Sequence, residues 1–170
     1  EDSKIVKKKS KYCYPNYGRR IKRLDMILFN RNDKNDLQTQ LEYLNSLPQY
    51  KLSNLSIAKD AKRSFDFYNV KCIIEYKRRN SNHNTFPDFI LEKYKYDTNM
   101  DIALRNKLSF YYQNRFNDGK VWEWDLTAMT EKNLMPEPIE KEMNRYTYVA
   151  DPTKTTKKVY MLKLDQGYEI

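Results

Sequence analysis

The stretch RNKLSFYYQNRFNDGKVWEWDLT, residues 105 to 127, sets polar side chains at a spacing of two. Arg105, Lys107 and Ser109 alternate in its first half. Glu123, Asp125 and Thr127 alternate in its second, offset from Trp122, Trp124 and Leu126. Residues two apart share one face of a strand. The spacing therefore predicts two paired strands turned at Asn117 to Gly119, where Asn-Asp-Gly is a hairpin signal. One strand would aim two cations and a hydroxyl along a face; the other would aim two acids and a hydroxyl. Arginine suits bidentate contact with a phosphate and lysine a point-charge contact. Carboxylates can hold a divalent cation. The same alternation describes the solvent face of any antiparallel sheet, and Trp122 and Trp124 are expected to pack in a core rather than to stack bases.

The elements that must position these residues follow from the rest of the chain. Its 170 residues fit one domain. Hydrophobic residues make up 39%, with 15 Tyr and 7 Phe, so burial is available and a disordered linker is excluded. No apolar run approaches the roughly 20 residues that span a bilayer. Helical spacing of Leu37, Leu41 and Leu44 predicts a helix from Asp36, its N-cap, to Leu47, stopped by Pro48. Residues 30 to 36 read as a polar loop, and residues 11 to 29 as a turn followed by a strand. VKCIIEYKRR (Val70 to Arg79) is a strand with Lys71, Ile73, Glu75, Lys77 and Arg79 on one face. Residues 86 to 97 pass from loop to extended or short-helical structure, 131 to 144 are loop, and RYTYVAD and KKVYMLKLD are strands about a turn. The sum is mainly β with one or two helices, β or α+β. Charge on both faces of its strands points to an antiparallel barrel with a polar interior.

Thirty-two Lys and Arg against 23 Asp and Glu leave a formal charge of +9, which favours polyanionic partners. Cys13 and Cys72 form no CxxC, and His83 is the only histidine, so a zinc site has too few ligands. His83, crowded by Asn, Ser and Pro, is a loop residue. The cysteines fit a reducing compartment.

RNKLSF followed by VWEWDLTAM, with GYEI at the end, resembles the metal-dependent RNA 5′-triphosphatases of mRNA capping, the fungal and large-DNA-virus type of triphosphate tunnel enzyme. The match covers residues 105 to 127 and the last four. It implies an eight-stranded antiparallel barrel around a hydrophilic tunnel and metal-dependent removal of the γ-phosphate from nascent RNA. Mapped onto this sequence, the resemblance makes Arg105 and Lys107 phosphate ligands and makes Asp125 and Glu75 tunnel acids. Ser109, Thr127, Lys71 and Lys77 become substrate contacts, and Glu169 a ligand for Mg²⁺ or Mn²⁺. It implies 5′-triphosphate RNA as the partner and guanylyltransferase or methyltransferase domains in the same chain or complex. The location it implies is intracellular, in a nucleus or a cytoplasmic viral factory. The tunnel family's first metal motif, Glu-x-Glu-x-Arg, falls on Glu75, Lys77 and Arg79 with lysine in place of the second acid. GYEI opens the last strand and stops. On this reading residues 1 to 170 are a single tunnel-like domain, a fragment lacking the first and last metal-binding strands.

Two other functions fit the residues. A non-catalytic basic β-domain could grip RNA or DNA through Lys, Arg and exposed aromatics. A nuclease of the Asp…Glu-x-Lys type could use Asp66, which precedes Glu75-Tyr76-Lys77; a metal there and the lysine beside it could activate water. Glu-Tyr-Lys is a common tripeptide, and Pro87-Asp88 lies after it rather than before.

Overall fold

The computed structural model describes residues 23–51, 54–58, 64–144 and 153–170. In chain order its elements are α1 (Arg23–Ser46), α2 (Pro48–Lys51), β1 (Ser56–Ile57), β2 (Phe67–Tyr68), β3 (Cys72–Arg78) and β4 (Asp88–Glu92). Then come α3 (Lys93–Asn106), β5 (Ser109–Arg115), β6 (Val121–Asp125), α4 (Leu126–Glu131), β7 (Ile139–Asn144), β8 (Lys154–Lys163), a 3₁₀ turn (Leu164–Gln166) and β9 (Tyr168–Glu169). The boundary between two compact units falls within α1, after Asn35. The architecture below is that of the unit Asp36–Ile170.

Six strands form one sheet in the order β1-β2-β3-β5-β6-β9, and three form a second in the order β4-β8-β7. In the larger sheet β3 and β5 run parallel, with Glu75 beside Tyr112, and the other neighbours are antiparallel. A parallel pair needs a crossover of a dozen residues or more. Here β4 and α3 supply it. The class is α+β, mainly β with four α-helices among the described residues. Both sheets are open, so the closed antiparallel barrel expected from the charge pattern is not seen. The charges on both strand faces have a different cause: helices and the second sheet cover the large sheet on its two sides and meet its polar residues with buried partners.

One face of the large sheet packs Phe67, Cys72, Ile74 and Tyr76 against Leu37, Leu41 and Leu44 of α1 and Tyr50 of α2. The other packs Ile73, Phe110, Tyr112 and Trp124 against Tyr96, Met100 and Ala103 of α3, Met129 of α4, and Phe89, Leu91, Tyr160 and Leu162 of the small sheet. The leucine stripe is thus core, as expected. Asp36 is not an N-cap, because the helix runs through it. It accepts instead from Arg78 Nη1 at 3.1 Å and Tyr76 Oη at 3.2 Å. Residues 30 to 36 are helical rather than loop, residues 23 to 29 are helical rather than strand, and residues 11 to 22 lie outside the described residues, as does RYTYVAD. Residues 139 to 144 form β7, not a loop.

The Asn117 to Gly119 turn is present. Gly119 has φ +83°, and β5 pairs with β6 across it. Trp124 is fully buried, and Trp122 is partly buried against the core. His83 lies in a loop, its Nδ1 2.7 Å from Asp118 Oδ2 and its ring stacked on Trp122. Cys72 is a free, buried thiol, which burial pushes up to about 12. Among the described residues no helix is long and apolar enough to cross a membrane.

Candidate functional site

Glu75 sits in the middle of β3, 1% exposed. Alternation along β3 sends Ile73, Glu75 and Lys77 to the α3 side and Cys72, Ile74 and Tyr76 to the α1 side. A carboxylate buried this deeply needs charged partners. Two lysines provide them, and both reach the same oxygen, Oε1. Lys77 approaches to 3.3 Å from the same strand, and Lys95 closes a short ion pair from the first turns of α3.

Asp66 immediately precedes β2. Phe67 pairs with Ile74 in an antiparallel register, so continuing that register by one residue sets Asp66 opposite Glu75 of β3. Asp66 is fixed by its backbone N–H donating to Ile74 O at 2.9 Å and by its Oδ2 accepting from Tyr76 N at 2.8 Å. Burial pushes its carboxyl up to about 6, and the charge of Glu75 pushes the same way. Burial alone would lower the Lys77 ammonium, but Glu75 and Asp66 outweigh it and hold it above its ordinary value. The result is two acids and two ammonium groups in mutual contact or Coulomb range.

The surroundings hold this group rigidly. Fully buried Asn99 of α3 donates from Nδ2 to Ser64 O at 3.0 Å, tying the helix that carries Lys95 to the segment that leads into Asp66. Tyr112, beside Glu75 on β5, donates its hydroxyl to Ile90 O at 2.9 Å and accepts from Arg79. Burial pushes that phenol up to about 12, although the Arg79 charge opposes it. Arg79 also donates Nε to Asn114 Oδ1 at 3.0 Å. A cleft runs from Arg79, Asn80 and Ser81 past Phe86 and Asp88 to Met161 and Lys141.

Of the residues singled out in sequence, the structure joins Glu75 with Lys77. Arg105 and Lys107 are not on a strand. Arg105 is in the last turn of α3, 76% exposed and paired with Asp101 at 2.9 Å; Lys107 is the exposed, left-handed C-cap of that helix. Ser109 starts β5 and bonds through its N–H to Lys71 O, while Lys71 itself is exposed in the β2–β3 turn. Asp125 caps α4 by accepting from Ala128 N at 2.9 Å, and the Thr127 hydroxyl accepts from Phe110 N at 2.8 Å. Glu169 lies on edge strand β9, as GYEI suggested, and pairs with Lys120 at 2.9 Å. Each of these four polar side chains, Arg105, Asp125, Thr127 and Glu169, has a structural partner.

Glu123 is the second buried acid, 2% exposed, on the opposite face from Glu75. It accepts from the hydroxyl of Tyr50, from the hydroxyl of Tyr168 at 2.7 Å and from the Gln113 amide. Burial, and then the bond to Glu123, raises the Tyr168 phenol far above its ordinary value. These neutral donors knit α2, β5, β6 and β9 together.

Sequence reasoning missed Lys95 as a site residue and gave Asp66 only as a minor alternative. Lys95 carried no motif. Its signal was the helical spacing of Tyr96, Asn99, Met100 and Ala103, which orients α3 and so aims Lys95 at the sheet. No protein-family model matches this chain, and no curated protein and no solved structure matches it either.

Proposed function

We propose that this chain is a metal-dependent nuclease of the Asp…Glu-x-Lys type, with Asp66, Glu75 and Lys77 in its site. The observation that supports the reading is the convergence of these three residues on β3 and on the residue that precedes β2, a buried and a partly buried carboxylate flanked by a lysine. Asp66 and Glu75 would hold a divalent cation. Two features fit one: both donors are hard oxygens, suited to Mg²⁺ or Mn²⁺, and the carboxyl of Asp66 is held up by burial and by the charge of Glu75, a repulsion that a cation relieves. Among the described residues no three His, Cys, Asp or Glu side chains gather to hold a metal. The cation would therefore rest on two carboxylates and solvent, an arrangement ordinary for Mg²⁺. When bound, it would lower the pKa of a water and polarise a phosphoryl oxygen.

The chain's own residues divide the remaining work. Lys77 stays charged beside the acids, so it stabilises negative charge on a phosphate rather than removing a proton. Glu75, fixed by the β3–β5 pairing, and Asp66, fixed by the Tyr76 N–H, give the site a preorganised geometry. The basic balance of the chain suits a nucleic-acid substrate.

The test is cleavage of plasmid DNA, linear duplex, single-stranded DNA and RNA with and without Mg²⁺ or Mn²⁺. Metal-dependent phosphodiester cleavage is expected, lost by about a hundredfold or more in Asp66→Asn, Glu75→Gln and Lys77→Ala. Release of γ-phosphate from triphosphate-ended RNA without internal cleavage would instead favour the RNA 5′-triphosphatase, whose tunnel needs a closed polar barrel. Binding without either reaction would favour the non-catalytic nucleic-acid-binding domain.

A further inference from the structure

The cleft beside Arg79 encloses about 390 Å³, within the roughly 300–1,000 Å³ of small-molecule sites. Ile90 and Met161, cross-strand partners on β4 and β8, give it an apolar floor. Around that floor stand three charged side chains and an exposed ring. Elsewhere in the fold Lys77, Lys95 and Lys157 each pair with a carboxylate. Arg79 does not: among the described residues its partners are all neutral. Its Nε donates to Asn114 Oδ1 at 3.0 Å, and its Nη2 to Ile90 O at 3.2 Å and to the Tyr112 hydroxyl. Its Cζ lies 6.0 Å from the centre of the Phe89 ring. These contacts fix the guanidinium and leave Nη1 for a further acceptor. Lys141 lines the cleft from β7; its cross-strand neighbour Lys157 takes Glu92, and Lys141 pairs with no acid among the described residues. Asp88 forms no hydrogen bond or ion pair among them either, although Lys163 stands across from it on β8. Phe86, two residues before Asp88, is 55% exposed.

A phosphate matches the fork of Arg79 and the point charge of Lys141. Phe86 offers a ring on which a flat group can stack. Asp88 narrows the choice of ligand. A carboxylate only accepts hydrogen bonds, so a phosphate ester without N–H groups would leave it unsatisfied in a filled cleft. A nucleobase supplies both a ring and N–H donors. We propose that this cleft binds a nucleoside phosphate, with the phosphate between Arg79 and Lys141, the base on Phe86 and its donor edge at Asp88. Guanine presents two adjacent donors to the two carboxylate oxygens; uracil presents one between two carbonyls, so guanine is preferred. The site uses neither metal nor the acids of the nuclease reading, and it stands or falls apart from that reading.

The test is titration of the isotope-labelled full chain, followed by its amide resonances in EDTA, with guanosine 5′-monophosphate, uridine 5′-monophosphate, guanosine and inorganic phosphate. Guanosine monophosphate is expected to shift the resonances of the cleft and to bind about tenfold or more tightly than each of the other three. Lys141→Ala and Phe86→Ala should each weaken it about tenfold, and Asp88→Asn should remove the preference over uridine monophosphate. Arg79→Gln should abolish binding; because Arg79 also ties β3 to β4 and β5, the two exposed positions decide the matter if that variant does not fold. A short single-stranded DNA carrying one guanine distinguishes the sources of the ligand: tighter binding than the mononucleotide assigns the cleft to a residue of a strand, weaker binding to a free nucleotide. Absence of saturable binding, shifts that lie away from the cleft, equal affinity for phosphate alone, or unchanged affinity in both Lys141→Ala and Phe86→Ala overturns the proposal.

Discussion

The fold holds Asp66 in surroundings that disfavour its charged form. Its ordinary carboxyl value is 3.8, and in the fold burial, followed by the charge of Glu75, pushes it up to about 6. A group raised on folding favours the folded state when protonated. Its contribution is fully present below about pH 4 and is lost as pH rises through about 6, where the folded chain must hold a buried, repelled carboxylate. The loss amounts to at most about 3 kcal/mol. Asp66→Asn removes it while keeping an oxygen that can accept from the Tyr76 N–H. The variant is expected to be about 1–2 kcal/mol more stable than wild type at pH 7 without metal, and equal to it or weaker near pH 4. Urea unfolding at the two pH values checks this. A variant no more stable at pH 7 would show that Asp66 is not strained by its neighbours. Added Mg²⁺ should stabilise the wild-type chain and not the variant, visible as a rise in Tm.

At the scale of elements, RNKLS shows how a period can mislead. Arg105, Lys107 and Ser109 alternate, and alternation predicts a strand. But Tyr96, Asn99, Met100 and Ala103, at spacings of three, one and three, are buried on one face of α3, and that helical period extends through Asn106. The longer period wins because it buries a side of the crossover that must join parallel strands β3 and β5. The helix ends at Lys107 in the left-handed region, φ 55°, where the next N–H, that of Leu108, bonds Ala103 O at 2.9 Å. Lys107→Gly should therefore stabilise the chain by about 0.5–1 kcal/mol and leave activity unchanged. A loss of phosphate binding in this variant would argue for Lys107 as a ligand. Asp125→Ala should cost about 1 kcal/mol through loss of the α4 cap, with catalysis intact under conditions where the chain is folded. Strands β3 and β6 and the Asn117 to Gly119 turn were legible, since β-branched and aromatic residues and a turn glycine mark them directly. β2 was not, being two residues long, and with it went the pairing that sets Asp66 opposite Glu75. β7 was not, because almost none of its residues is buried and so it carries no apolar alternation.

That exposed strand matters at the scale of the whole molecule. β4 pairs with Val159–Lys163 of β8, whereas β7 pairs with residues 154 to 159, so one half of β8 belongs to the packed sheet and the other half joins β7 alone. The two strands make a ribbon. Its face toward the cleft carries Lys141 opposite Lys157, between Ile139 and Met143, and Lys157 reaches Glu92 at 3.2 Å, just before the helix that bears Lys95. On the other face Glu140 lies opposite Lys158, so the positive excess is on the cleft side. A two-stranded ribbon fits the major groove of duplex DNA, and Lys141 also lines the cleft that begins at Arg79, two residues past Lys77. Binding of a DNA duplex should then fall steeply with salt, through release of counterions. Lys141→Ala should weaken binding and reduce the slope of log K against log salt by about 0.9, the loss of one phosphate contact. Lys132→Ala, on the far end of α4, should leave that slope unchanged. Both residues are exposed, so neither change should alter Tm. Fluorescence anisotropy with a labelled duplex at several salt concentrations decides the matter. Equal slopes for the two variants would mean that the +9 charge acts diffusely and that the ribbon has no special part in holding the substrate.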